Sequence, residues 1–237
     1  MEDKTATGTA MIFFDIDNTL IDQRKAEAAA AAPFLDTYGD SLACSYSVDE
    51  FCQLWRNLRE QHGREFLLGR ISQSEQTRRR MRALFAPQPL TNAEADARYN
   101  LFQCHYRQNW SLYDDVLPCL EALSGCSLGI VSNGGSVKQR AKLHATAIEH
   151  FFSLIVISQD ARIAKPAPAI FLEVCRRAGK NPNQCVYVGD SLDDDALPSR
   201  AAGLCGFWLK RDQRSNDSLT LESLAQLPCR VRERIAA

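Results

Sequence analysis

The chain has 237 residues, 45% of them hydrophobic, which suits one large domain or a core with a smaller insert. Its 28 basic and 29 acidic residues leave a net charge of −1, so no global field draws it to nucleic acid or an anionic membrane. Nine cysteines lack any C-x-x-C pair and four histidines lack ligand spacing, which excludes a disulfide framework or zinc site and points to a reducing, cytoplasmic compartment. The polar start "MEDKTATGTA" reads as no secretory leader, and no apolar run approaches the length of about 18 residues that spans a membrane.

The first element is the apolar run "MIFFDI" (11–16), which Asp15 interrupts and Asp17 follows. A carboxylate beside such a run is costly unless something pairs with it. The interval 21–109 then changes character, with no comparable strand run and four helical segments. Ser47, Ser72 and Thr91 stand three residues before Glu50, Glu75 and Glu94, the spacing of capping boxes that open helices. The insert holds eleven Arg and one Lys against eleven acids, so "TRRRMR" (77–82) is expected to be a salt-bridged helix surface rather than an anion site. Tyr38, Trp55 and Phe66 fall on helical apolar positions and are expected in a core.

From residue 110 onward, short apolar runs alternate with helical stretches: "SLGIV" (127–131), "LIVIS" (154–158), "CVYVG" (185–189) and "CGFWL" (205–209). Continuous rather than alternating apolarity marks parallel strands covered on both faces. The expected fold is α/β, a doubly wound parallel sheet built from 1–20 and 110–237, with 21–109 inserted as an α-helical cap. Gly125, Gly179 and Gly203 are expected to end helices in the left-handed conformation.

Polar residues follow each strand: Asp15 and Asp17 the first, Ser132-Asn133-Gly134 the second, Lys165-Pro166 the third after a short loop, and Asp190 with Asp193, Asp194 and Asp195 the fourth. The carboxyl ends of parallel strands share one edge, where ligands bind, so these four segments converge. Clustered carboxylates need a cation, and an all-oxygen donor set suits Mg²⁺. Metal, ammonium and hydroxyl together cradle a phosphoryl group, which a carboxylate can attack while a second acid moves the proton.

D-I-D-N-T-L, S-N-G, K-P and G-D-S-L-D-D-D, in this order and each with its strand, resemble the haloacid dehalogenase superfamily. The helical insert resembles the subgroup of phosphoglycolate phosphatases, pyrimidine nucleotidases and N-acylneuraminate-9-phosphatases. The resemblance implies that Asp15 is nucleophile and metal ligand, and that Asp17 is general acid/base and lends its backbone carbonyl to the metal. It implies further that Ser132, with Asn133 beside it, and Lys165 bind the phosphoryl group, that Asp190 ligates Mg²⁺, and that Asp195 acts through the metal's waters, with Asp194 as the alternative. The expected activity is Mg²⁺-dependent hydrolysis of a small phosphorylated metabolite, a sugar phosphate or nucleotide, without nucleic-acid or membrane partners. A phosphomutase is the alternative. A dehalogenase would not need Asp17, a phosphonatase would need a cap lysine where only Lys25 exists, and a phospho-receiver module would use about half the chain.

Overall fold

The computed structural model describes residues 10–211, 213–215 and 217–236. Among these, the chain divides into two compact units, one running Asp22–Ser111 and the other formed by the chain up to Ile21 and from Leu112 onward.

The discontinuous unit carries β1 (Met11–Phe14), the first strand of a six-stranded sheet. Asp22–Ser111 follows and contains α1 (Gln23–Tyr38), α2 (Val48–Leu67), α3 (Gln73–Phe85) and α4 (Asn92–Gln108). The chain then alternates through α5 (Val116–Ala122), β2 (Ser127–Ser132), α6 (Ser136–Ala145), β3 (Leu154–Ile157), the short α7 (Ser158–Ala161) and α8 (Pro168–Ala178). It ends with β4 (Cys185–Gly189), a π-helical turn (Leu192–Ala196), α9 (Leu197–Ala201), β5 (Cys205–Leu209), β6 (Thr220–Leu221) and α10 (Leu227–Ala236). The strand order is β3-β2-β1-β4-β5-β6 and every pairing is parallel.

The uninterrupted apolar runs are explained by helices on both faces. Alternate residues of β1 divide between two cores: Ile12 and Phe14 pack with Val116 and Leu120 of α5, Leu143 of α6 and Leu227 and Val231 of α10. Met11 and Phe13 pack with Ile170, Phe171 and Val174 of α8. Burial of each such side chain contributes about 1.5–3 kcal/mol, and a strand sandwiched in this way has no polar face to display.

The helical unit has its own core, in which Phe34, Phe51, Trp55, Phe85, Phe102 and Tyr106 are nearly inaccessible. Tyr38 packs against this core, whereas Phe66 is not part of it. The Ser47–Glu50 and Thr91–Glu94 capping boxes both form. At α3 only half of the expected box exists: Ser72 Oγ accepts from Glu75 N, but the Glu75 carboxylate is bound to Arg79 Nε. An available guanidinium one turn on outcompetes the backbone N–H, as a charge-assisted bond should.

Gly179 and Gly203 adopt positive φ after α8 and α9. Gly125 does not, because α5 ends two residues earlier with Leu123 as its cap. All nine cysteines are free. No helix among the described residues is long and apolar enough to cross a membrane.

Candidate active site

β1 enters its terminal loop with Asp15 N still donating to Val188 O at 2.9 Å, which pins the Asp15 backbone to the sheet edge. The chain then folds back within a few residues: Leu20 N and Ile21 N both donate to Ile16 O, at 2.9 and 3.0 Å, and Asn18 takes the left-handed conformation with φ 58°. Asn tolerates that region better than other non-glycine residues. This tight loop carries Asp17, while Asp15 remains buried at 6% exposure.

Lys165, on the segment between α7 and α8, reaches the same edge. Its Nζ donates to Asp15 Oδ1 at 2.7 Å, Asp195 Oδ1 at 2.6 Å and the Tyr187 hydroxyl at 2.9 Å, which uses all three ammonium protons. Asn133 fixes the lysine's main chain from both sides: its Nδ2 donates to Lys165 O at 2.9 Å and its Oδ1 accepts from Lys165 N at 2.9 Å. The Asn133 amide, expected beside the phosphoryl group, is therefore engaged in holding Lys165 in place.

Asp195 is 1% exposed. Its Oδ2 accepts from Ser191 N at 3.0 Å, and its Oδ1 lies 2.8 Å from the Tyr187 hydroxyl. A Cβ at Gly189 would collide with the Asp195 carboxylate, so only glycine permits this approach at the end of β4. Asp194 is exposed, and its main-chain N–H caps onto Ser191 Oγ. Of the two candidates, the buried residue at the sheet edge is Asp195.

Ligand oxygens of Asp15, Asp190 and Asp195 lie within 4.8 Å of one another. Such crowding has the expected electrostatic cost. Burial, and secondarily the Asp15 and Asp195 charges, push Asp190 up to about 8. Burial also raises Asp15 to about 6; Lys165 opposes the rise, while Asp195 and Asp17 add to it. Burial would lower the Lys165 ammonium, but Asp15 and Asp195 outweigh it and raise the pKa. Three carboxylates face one ammonium, an imbalance that a divalent cation with hard oxygen ligands would relieve. The donor set thus fits Mg²⁺.

Asp17 stands apart from this cluster. Its carboxylate accepts from Gln139 Nε2 at 3.0 Å and pairs with the Lys142 ammonium, both from α6. Burial alone would raise Asp17, but the Lys142 charge and the two hydrogen bonds hold its carboxyl below the usual carboxylate range. Ser132, 1% exposed at the end of β2, has its Oγ 2.9 Å from the same Gln139 Nε2.

Gln139, Lys142 and Tyr187 were absent from the residues expected at the site. Lys142 and Gln139 read as ordinary polar positions of a surface helix, and Tyr187 as one more apolar residue of a buried strand. One signal existed: Gln139 and Lys142 are three apart, on one face of the helix that follows S-N-G.

A family model described as haloacid dehalogenase-like hydrolase matches residues 9–203. The chain is 34% identical over 212 residues to glyceraldehyde 3-phosphate phosphatase of Methanopyrus kandleri, covering 84% of this chain and 83% of that one. It is 27% identical to N-acylneuraminate-9-phosphatase of Homo sapiens, over 85% of this chain and 82% of that one. Among solved structures, putative HAD-hydrolase YfnB from Bacillus subtilis, bound to magnesium, superposes with a TM-score of 0.77 at 24% identity, covering 92% and 96% of the two chains. L-2-haloacid dehalogenase from Xanthobacter autotrophicus superposes with a TM-score of 0.73 at 18% identity, covering 95% and 99%. At these identities the structural likenesses speak for the fold.

Proposed function

The chain belongs to the haloacid dehalogenase-like hydrolases, and on that premise we propose that it is a cytoplasmic, Mg²⁺-dependent phosphatase of small organic phosphate monoesters that works through an aspartyl-phosphate on Asp15. Phosphoric monoester hydrolysis itself follows from the family match and from relatives that are phosphatases along most of their length. The observation that carries the finer reading is the set of Asp15, Asp190 and Asp195 carboxylates gathered around one buried ammonium.

Asp15 and Asp190 would hold the metal, with the backbone carbonyl of Asp17, and Asp195, whose oxygens are engaged by Lys165, Tyr187 and Ser191 N, would act through the metal's waters. When bound, the ion offsets carboxylate charge and stabilises the charge on the phosphoryl oxygens. Lys165 fixes one oxygen of Asp15 and leaves the carboxylate aimed from the sheet edge, where its other oxygen attacks phosphorus. Ser132 Oγ binds a phosphoryl oxygen, and the Lys165 ammonium, held by Asp15, Asp195 and Tyr187, balances charge between the nucleophile and the phosphoryl group. The neutral fraction of Asp17 protonates the alkoxide leaving group, and the carboxylate that forms, paired with Lys142, then accepts a proton from the water that hydrolyses the aspartyl-phosphate.

Substrate choice, in this reading, rests with the helical unit Asp22–Ser111. It favours a free metabolite such as a sugar phosphate or nucleotide over a phosphoprotein, in keeping with the substrates in the relatives' names. The test is release of inorganic phosphate from a panel of phosphorylated metabolites and phosphopeptides, with Mg²⁺ and with EDTA. At least one metabolite should exceed every phosphopeptide in kcat/KM, and EDTA should silence the reaction. Comparable values for phosphopeptides would overturn the substrate class, and full activity in EDTA would overturn the metal.

A further inference from the structure

Asp17 presents a problem that the mechanism leaves open. It sits two residues from Asp15 on a tight loop, at the edge that collects Asp190 and Asp195, yet its carboxylate is not among the three whose oxygens lie within 4.8 Å of each other. A fourth carboxylate drawn into that cluster would add to its excess of like charge and would be turned toward the cation site.

Two side chains of α6 hold it out. Lys142 Nζ takes Asp17 Oδ1 and Gln139 Nε2 takes Asp17 Oδ2, the latter at 3.0 Å. They lie one helical turn apart, so the helix offers them as a fork, one donor to each carboxylate oxygen. Both are almost inaccessible, Lys142 at 1% and Gln139 at 2%, whereas the Asp17 side chain is 26% exposed. Burying an ammonium that deeply is costly unless its partner is well placed. Gln139 does more, because its Nε2 also lies 2.9 Å from Ser132 Oγ and 3.1 Å from Asn133 O. An amide nitrogen has two protons for these three acceptors, so one side chain ties Asp17 to the hydroxyl that faces the phosphoryl group.

We propose that Gln139 and Lys142 are positioning residues for Asp17, holding its carboxylate clear of the carboxylate cluster and in place to act as base in the second half of the reaction. The inference rests on the proposed aspartyl-phosphate chemistry. In that step the water oxygen bonds to phosphorus, the bond between phosphorus and the Asp15 oxygen breaks, and Asp15 recovers its electron pair as a carboxylate. The water's proton passes to Asp17, and orthophosphate leaves. A mispositioned Asp17 slows this step and leaves attack on an activated ester almost untouched.

The experiment uses the full chain with Mg²⁺ and p-nitrophenyl phosphate, whose leaving group needs little protonation. Because kcat/KM covers only the steps through aspartyl-phosphate formation, Lys142→Met and Gln139→Met should each lower kcat by about 10- to 100-fold while kcat/KM moves by about threefold or less. Intact mass after rapid quench should show phosphoenzyme accumulating in both variants but not in the wild type. The same substitutions placed in an Asp17→Asn background should have no further effect on kcat. That background removes the carboxylate that Lys142→Met would leave without its ammonium, and so guards against a variant that merely unfolds.

Equal losses in kcat and kcat/KM without phosphoenzyme, no loss at all, or an undiminished effect in the Asp17→Asn background would each overturn the inference while the proposed function stands. A wild type inert toward this ester and toward every metabolite would overturn both.

Discussion

Each unit buries charge, and the two do so in different ways. In Asp22–Ser111, Glu27 is paired with Arg59 and accepts from Gln23 Nε2 at 2.7 Å, and the Arg80 guanidinium lies 3.7 Å over the Trp55 ring. The one carboxylate there is paired with one guanidinium, and the second guanidinium, that of Arg80, stacks on a ring of the aromatic core. In the α/β unit, Lys165 faces Asp15 and Asp195 with Asp190 alongside, and Lys165 and its partner Asp15 stand 150 positions apart in the chain. That second cluster is negative in excess, and burial, with the neighbouring charges, raises the pKa of Asp15 and Asp190. Packing gains nothing from gathering like charges across such distances. A cluster whose imbalance is left standing marks a candidate binding site, whereas one whose carboxylate is paired and whose spare cation is stacked on a ring belongs to the core.

The largest expected effect breaks this contrast at its centre. Asp15→Asn preserves the shape of the side chain but removes the nucleophile, so turnover of any substrate should fall by about 10³-fold or more. The circular dichroism spectrum should be unchanged. Retention of an appreciable fraction of wild-type activity would remove Asp15 from its role.

Next comes Asp17→Asn, which should slow hydrolysis of alkyl phosphates by about 10²- to 10⁴-fold, the usual range for general acid–base help. With p-nitrophenyl phosphate the phosphate should be found on the peptide containing Asp15 after rapid quench. A label on any other peptide would refute the scheme.

The third effect is on stability and concerns the metal-free protein. Asp15 is raised from 3.8 to about 6 and Asp190 from 3.8 to about 8, so between these values the folded chain holds more protons than the unfolded one. Stability must then fall as pH rises, and the loss is complete once pH passes about 8. In EDTA the melting temperature should be lower at pH 8.5 than at pH 5.5, by about 5 °C for a chain of this size. Mg²⁺ should reverse the difference at pH 8.5, since it favours the ionised carboxylates. A melting temperature that rises with pH in EDTA would show that the cluster does not carry this strain.

The unequal legibility of the two clusters has a physical cause. Asp15, Ser132, Lys165 and Asp190 were readable because each interrupts or follows an apolar run, and parallel strands send their carboxyl ends to one edge. The helix starts at Ser47 and Thr91 were readable because a capping box is a local bond. Gln139 and Lys142 were not, because an amphipathic period marks which residues share a face but not whether a polar face meets solvent or a carboxylate. Tyr187 was hidden by an apolar run that its ring completes and its hydroxyl leaves. β6 has two residues, too few to form a pattern. α10 packs Leu227 and Val231 into the core but carries Arg230 between them and Arg232, Glu233 and Arg234 after them, so its short amphipathic spacing passes for a polar tail. Arg80 went the other way: in "TRRRMR", Arg78 and Arg79 form the expected surface ion pairs with Asp96, Glu65 and Glu75, while Arg80 turns inward.

Arg80 supplies the smallest effect and the sharpest comparison. It is 3% exposed, its Nε has no hydrogen-bond partner, and burial lowers its pKa to about 10. Arg80→Met keeps an unbranched apolar stem against Trp55 and removes a buried cation. The lost cation–π attraction, about 0.5–2 kcal/mol, is offset by the relief of desolvation, so stability should change by about 1 kcal/mol or less. Glu27 keeps Arg59 and Gln23, and hydrolysis of p-nitrophenyl phosphate should be unaffected. The matching substitution in the other cluster, Lys165→Met, leaves Asp15 and Asp195 facing each other without their cation and should cost about 3–5 kcal/mol in the metal-free protein. Denaturant melts of the two variants in EDTA measure the contrast directly. A loss from Arg80→Met above about 2 kcal/mol would mean that Glu27 depends on Arg80 for its charge balance. The helical unit would then hold a true charge network, and its cluster could no longer be assigned to packing.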